Sequence, residues 1–321
     1  MNAVTVSIRN YVQDVVAGWN RFWFTAVDPA TLSAVRICAG LMLFYTHLVW
    51  SLDLEAFFGP EGWLPRKMLV DVHSEYVWSY FWLIDSPGML WAAHIGALVV
   101  FALLTIGFMS RIMSVLAHAI AVSYVHRVMP GAFFGLDKIN CMLALYLMLG
   151  PSGACYSVDR WLARRKAGGR SSGSTLKGDP LPAPQPSVGA NVAIRMIQLH
   201  MCVIYLFSGL NKLQGVYWWD GSATWWAIAN LEYQSLDMTW LVLWPKLTAL
   251  MTHITVFWEL FYIVLVWHRG WRPIVLLSAV AVHGGIAIAL GMITFGLVML
   301  IGNMAFLSPQ FVRAVVGRAK S

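Results

Sequence analysis

Lys212 closes an apolar run, YLFSGLNK at 205–212, and Tyr217, Trp218, Trp219, Trp225 and Trp226 follow within fourteen positions. Two readings of this lysine stand. An ammonium one turn inside a membrane interface snorkels to the headgroups at little cost. Alternatively, an amine beneath a lid of aromatic rings is desolvated. Burial then favours its neutral form, and a neutral amine is a competent general base.

Other ionisable residues stand in apolar segments: Arg36, Arg195 and Glu259, and the histidines His47, His94, His118, His200, His253 and His283. Arg36 and Arg195 fall near the ends of their segments and are expected to snorkel to the inner headgroups. Glu259 lies deep in its segment beside Trp258. It is either protonated or paired with a buried His or Arg, in a structural or a proton-handling role. His200 sits twelve residues before Lys212, about 18 Å down one helix, too far for a direct partner. No pair of histidines has HExxH spacing and no Cys-x-x-Cys-His is present, so no metal site is expected. Cys38, Cys141, Cys155 and Cys202 form no disulfide pattern and read as packing residues.

The elements that must position these groups follow from composition. Of 321 residues, 59% are hydrophobic and 12% charged, against about 25% charged in a soluble domain. A helix needs about 20 apolar residues to cross a bilayer core. Such windows recur at 32–52, 87–108, 111–129, 133–150, 191–213, 247–267, 273–291 and 294–308. The fold class is therefore all-α: a polytopic membrane bundle of about eight transmembrane helices. The last two windows also read as one broken helix. Pro87 and Pro273 fall near helix starts, where a missing amide hydrogen is harmless.

Charge sets orientation. Segment 157–190 carries Arg160, Arg164, Arg165, Lys166, Arg170 and Lys177 against Asp159 and Asp179, and its second half is a Gly-, Ser- and Pro-rich linker. HRGWRP at 268–273 and the tail beyond residue 310 are also basic, whereas 53–86 and 214–246 are acidic and rich in Trp. By the positive-inside rule both termini and the linker are cytoplasmic, and the two Trp-rich loops face outward. Ten of the seventeen Trp lie on or near that outer side, which fits an interfacial belt or a ring-lined vestibule. Residues 1–27 read as an interfacial amphipathic helix rather than a signal peptide, 28–310 as the membrane domain and 311–321 as a basic tail. The net charge of +7 is explained by this topology, so no nucleic-acid partner is expected. The expected location is a bacterial inner membrane.

Several stretches, in order, resemble the membrane region of vitamin K-dependent gamma-glutamyl carboxylases, the wider horizontally transferred transmembrane (HTTM) family. They are DPATLSAVRICAGLMLF at 28–44, GFMSRIMSVL at 107–116, YSVDRWLARRKA at 156–167, SGLNKL at 208–213 and VHGGIAIALGMITFGLVMLIGNMAFLSP at 282–309. The resemblance covers roughly 28–310. It places the family's catalytic lysine on Lys212, as the base on reduced vitamin K. The quinol then reacts with oxygen to give a strong base that deprotonates a glutamate for attack on carbon dioxide. Where the carboxylases carry a histidine at the start of the fourth span, this chain reads GLDKIN at 135–140, offering Asp137 and Lys138.

The resemblance thus implies a carboxylase-like lyase that uses reduced vitamin K or another lipid quinol, with an outward site open to a peptide or protein substrate. Lys212, Asp137 and Lys138 are the expected catalytic residues. Trp218, Trp219, Trp225, His253 and His283 are the expected quinone-binding residues. A non-enzymatic maturation or export factor for a secreted peptide is the first alternative. It expects Lys212→Arg to be tolerated, because Arg anchors equally well but is no usable base. A haem or quinone electron carrier is the second, and expects a Soret band.

Overall fold

A computed structural model describes residues 3–72, 77–128, 134–170 and 183–318. Among the described residues the chain is all-helical, apart from one isolated antiparallel bridge between Val27 and Ser187. The helices are α1 (Ala3–Phe24), α2 (Ala30–Trp50), α3 (Leu54–Phe58), α4 (Arg66–Val72), α5 (Pro87–Ile106), α6 (Ser110–Arg127), α7 (Gly135–Leu147) and α8 (Val158–Arg170). There follow α9 (Val188–Lys212), α10 (Val216–Trp219), α11 (Ala223–Ile228), α12 (Pro245–Leu265), α13 (Arg272–Ala289), α14 (Ile293–Asn303) and α15 (Pro309–Arg318).

Five helical stretches are long and apolar enough to cross a membrane: Ala30–Phe58, Pro87–Ile106, Val188–Lys212, Pro245–Leu265 and Arg272–Ala289. Counting Ile293–Phe306 with Pro309–Val316 as one bent span makes six. All eight expected windows coincide with helices, but not all meet that test. The thirteen residues of α7 reach about 20 Å, short of a ~30 Å core. α6 carries Arg111, His118, His126 and Arg127 within eighteen residues. The first part of the basic segment is helical, as α8, and 171–182 lie outside the described residues.

The chain packs as two compact units. The first comprises 1–126, 144–196 and 308–321, and the second 127–143 and 197–307. In the first unit, α5 shows how local sequence sets an element. Ser86 caps it by accepting the Met89 amide at 3.3 Å, Pro87 occupies its first turn, and Gly107 ends it in the left-handed region at φ +73°. Arg36 does not snorkel. It is fully buried, and its guanidinium donates to Leu104 O at 2.8 Å, Thr105 O at 3.1 Å and Tyr156 O at 2.7 Å. The last carbonyls of a helix lack intrahelical donors and carry partial negative charge, so a planar cation satisfies them better inside than at the headgroups. Glycine at 107 is required twice over, because a Cβ there would also collide with that guanidinium. A second clasp joins the start of α2 to α15: Arg313 donates to both carboxylate oxygens of Asp28 at 2.8 Å.

In the second unit α13 and α14 fold back on each other through Gly291, at φ +68°. Gly296 lets them close, since a Cβ there would meet the backbone oxygen of His283 and the side chain of Ala287. The 273–291 and 294–308 windows are therefore two helices of a hairpin, not one interrupted helix. Gly209 plays the same part where α9 meets α12, with a virtual Cβ 3.0 Å from the Leu260 side chain.

Candidate functional site

That close approach of α9 and α12 brings two charges together. Lys212, the last residue of α9, donates from Nζ to Glu259 Oε1 at 3.0 Å, to Glu259 Oε2 at 2.8 Å and to Ser208 Oγ at 2.7 Å. Three acceptors match the three N–H bonds of an ammonium. The side chains are 18% and 8% exposed, and the Trp218 ring centre lies 5.2 Å from Nζ, within cation–π range. Of the readings weighed for Glu259, pairing is the one found, but its partner is a lysine rather than a His or Arg. The segment SGLNKL now has a physical sense: Ser208 receives the amine one turn later, and Gly209 admits α12.

The pair forms part of the wall of a cavity of about 310 Å³ within the second unit. The apolar wall comprises Ile139, Met142, Ile204, Ile286, Phe295 and Met299; the polar wall comprises Lys138, His200, Tyr205, Ser208, Lys212, Glu259 and His283. His200 and Lys212, too far apart to bond directly, thus face the same space.

Behind this wall runs a chain of buried polar groups. Tyr262 Oη donates to Asn303 Oδ1 at 2.7 Å, and Asn303 Nδ2 donates to Met299 O at 2.9 Å and to Tyr205 Oη at 2.8 Å. Tyr205 Oη lies 2.7 Å from His283 Nε2. The rings of Tyr205, Tyr262, Trp258 and His283 pack together around the chain, with centroids 4.2 Å to 6.1 Å apart.

The expected site residues divide. Lys212, Lys138 and His283 share the cavity. Asp137 is not among its lining residues. It sits in the first turn of α7, where its carboxylate accepts the Phe134 amide at 3.0 Å, a capping role for an acid at a helix N-terminus. Trp218 covers the amine but does not line the cavity. Trp219 is 61% exposed and its indole N–H bonds Leu213 O at 2.7 Å. Trp225 lines a second cavity of about 250 Å³ with Asp220, Ser222 and Leu241. His253 is not at the first cavity either, and its Nε2 lies 3.2 Å from Trp219 O. The cause is local: α10 and α11 are four and six residues long and are separated by Gly221, at φ +82°, so neighbouring tryptophans point into different spaces. Beside that turn, hydrogen bonding to Ser222, whose amide donates to Asp220 Oδ1 at 2.8 Å, holds the exposed Asp220 carboxyl below its ordinary value.

Sequence reasoning did not find Ser208, Tyr205, Tyr262 or Asn303. Only the spacing of Ser208 and Lys212, four residues apart on one helix, offered a signal. Among the described residues no cluster of three or more His, Cys, Asp or Glu side chains is placed to hold a metal ion.

Fold and site together define an all-helical protein, compatible with an integral membrane location, with a largely buried Lys–Glu pair at a mainly apolar cavity. No protein-family model, curated protein or solved structure matches the chain.

Proposed function

We propose that the cavity at Lys212 and Glu259 binds the ring of a lipid quinol and that this ion pair takes a proton from it, as the likeness to the carboxylase family implies. One observation carries this reading: a charged, hydrogen-bonded Lys–Glu pair set in the wall of an otherwise largely apolar cavity. Burying two charges costs several kcal/mol each before their attraction is counted, so a membrane protein keeps them where they have work or a structural need. The volume falls at the lower end of the ~300–1,000 Å³ typical of ligand sites, and the mixture of aliphatic, Met and Phe walls suits a flat apolar ring.

The residues present fit such a group. Bound there, a quinol would supply a reductant for oxygen and an acidic hydroxyl. The chain's own part concerns protons. All three N–H bonds of Lys212 have acceptors, so in the resting structure Nζ has no lone pair to offer. Glu259 is the group with free acceptor capacity. Lys212 becomes a base only after one of its protons has passed to Glu259, which would leave a neutral amine and a neutral acid. The base is therefore the pair, and Ser208 and Trp218 hold the amine in place while it changes charge. Lys138 and His200 add polar contacts on the same wall.

The loop charges support both termini cytoplasmic and Lys212 on the outer side of the membrane; that the membrane is a bacterial inner one and that the site faces a peptide or protein substrate are part of the same proposal. The test of the binding reading is a photoreactive naphthoquinone in nanodiscs. Crosslinks that map to 135–142, 200–212 and 283–299, and that menadione competes away, are the expected result. Label spread over exposed apolar residues such as Leu277 and Val280, without competition, would refute it.

A further inference from the structure

The cavity holds a histidine whose proton can be located by following the hydrogen bonds inward from a backbone carbonyl. Met299 O can only accept, so the Asn303 side-chain atom 2.9 Å from it must be the nitrogen. That fixes the amide: its oxygen receives the Tyr262 hydroxyl, and its second N–H reaches Tyr205 Oη. Tyr205 has then accepted one proton and has a single one to give. The remaining neighbour of its hydroxyl, at 2.7 Å, is His283 Nε2, which must accept it. A neutral imidazole that accepts at one nitrogen carries its hydrogen on the other. The doubly protonated ring is excluded by the same count, since it would leave the Tyr205 hydrogen without an acceptor. His283 is 3% exposed, and its Nδ1 is buried without a hydrogen-bond partner among the described residues.

We propose that His283 Nδ1–H is the donor that receives an oxygen of the bound ligand, a carbonyl or phenolic oxygen on the ring that fills the cavity. Tyr205 and Asn303 act as positioning residues that fix the tautomer. This rests on the reading of the cavity as a ring site and deepens it. A buried donor left unmatched costs more than a hydrogen bond formed gains, so the site discriminates against hydrocarbon rings of the same shape. The polar features of the wall then have separate duties. The Lys212–Glu259 pair handles a proton, and His283 sets the ring's position.

The test has two independent readouts. In nanodiscs with ¹⁵N-histidine, the His283 signal, identified by its loss in His283→Asn, shows the Nδ1–H tautomer, and Tyr205→Phe converts it to a mixture. An Nε2–H or imidazolium pattern in the unsubstituted protein overturns the proposal. Menadione binding, followed by tryptophan quenching, comes second. His283→Asn, whose amide N–H falls near the Nδ1 position, keeps affinity within about threefold. His283→Gln, whose amide falls near Nε2, and 2-methylnaphthalene, which lacks the oxygens, each bind about tenfold more weakly. Unchanged affinity in His283→Gln overturns the role of the donor. Absence of menadione binding in protein that shows the Nδ1–H tautomer overturns the ring reading and the ligand named here, while the tautomer assignment stands.

Discussion

Lys212 Nζ meets both carboxylate oxygens of Glu259, at 2.8 Å and 3.0 Å, across forty-seven residues of sequence. The contact depends on Gly209, which has no side chain to hold α12 away. Charge placement and helix packing are thus a single feature here, and each can be perturbed to test the other.

Removing one member of the pair leaves the other buried and unmatched. Lys212→Met and Glu259→Met are each expected to destabilise the protein by ~3–5 kcal/mol, whereas the double variant recovers most of that loss. Thermal unfolding in a fixed detergent measures it. A double variant whose loss equals the sum of the singles would show that the two residues are not coupled.

Gly209→Val places a branched side chain where the Leu260 side chain and backbone already stand about 3 Å from a Cβ position. Overpacking of this kind costs ~1–3 kcal/mol. It should also separate α9 from α12 and so mimic the loss of the ion pair. The check is whether Gly209→Val and Glu259→Met have non-additive effects on the melting temperature. Additive effects would mean that the glycine does not govern the approach.

Much of the scaffold is legible in sequence because its signals are local. Ser86, Pro87 and Gly107 mark both ends of α5 within a single stretch, and hydropathy finds every helix long and apolar enough to cross a membrane. The site is less legible because its contacts are remote. Glu259 read as a charge in need of a partner, but the partner lies on another helix, and no periodicity couples the two. Asn303 and Tyr205 are ninety-eight residues apart. Neither carries a charge that would draw notice in an apolar run. The tryptophans misled for the opposite reason: closeness in sequence suggested one pocket, but the turn at Gly221 divides them. Arg36 read as a snorkelling residue because sequence could not show that the end of α5 lies beside it.

Arg36→Lys should be severely destabilising despite keeping the charge. A single ammonium nitrogen cannot reproduce the fork by which the two terminal nitrogens of Arg36 reach Leu104, Thr105 and Tyr156. A loss of ~3 kcal/mol or more is expected. Wild-type stability in Arg36→Lys would show that the carbonyls find other donors at no cost.

The Asp28–Arg313 clasp predicts a pH dependence. Partial burial opposes ionisation of Asp28, but hydrogen bonds from Arg313 and the Ala30 amide, with the guanidinium charge, hold its pKa below the ordinary 3.8. A carboxyl lowered by folding contributes stability that is fully present above 3.8 and is lost as pH falls through the lower folded value. Asp28→Asn should therefore lower the melting temperature at neutral pH. The difference from wild type should shrink below pH 3.8. A difference that persists unchanged in acid would assign the effect to packing.

The most direct measurement of the central claim is epoxide formation from reduced vitamin K in air by the protein in nanodiscs, with Lys212→Ala and Glu259→Gln alongside. The account predicts epoxide from the unsubstituted protein and a loss of about 100-fold or more in each variant, the scale of a missing general base. No epoxide from folded protein that binds menadione, or equal rates in all three, would contradict it.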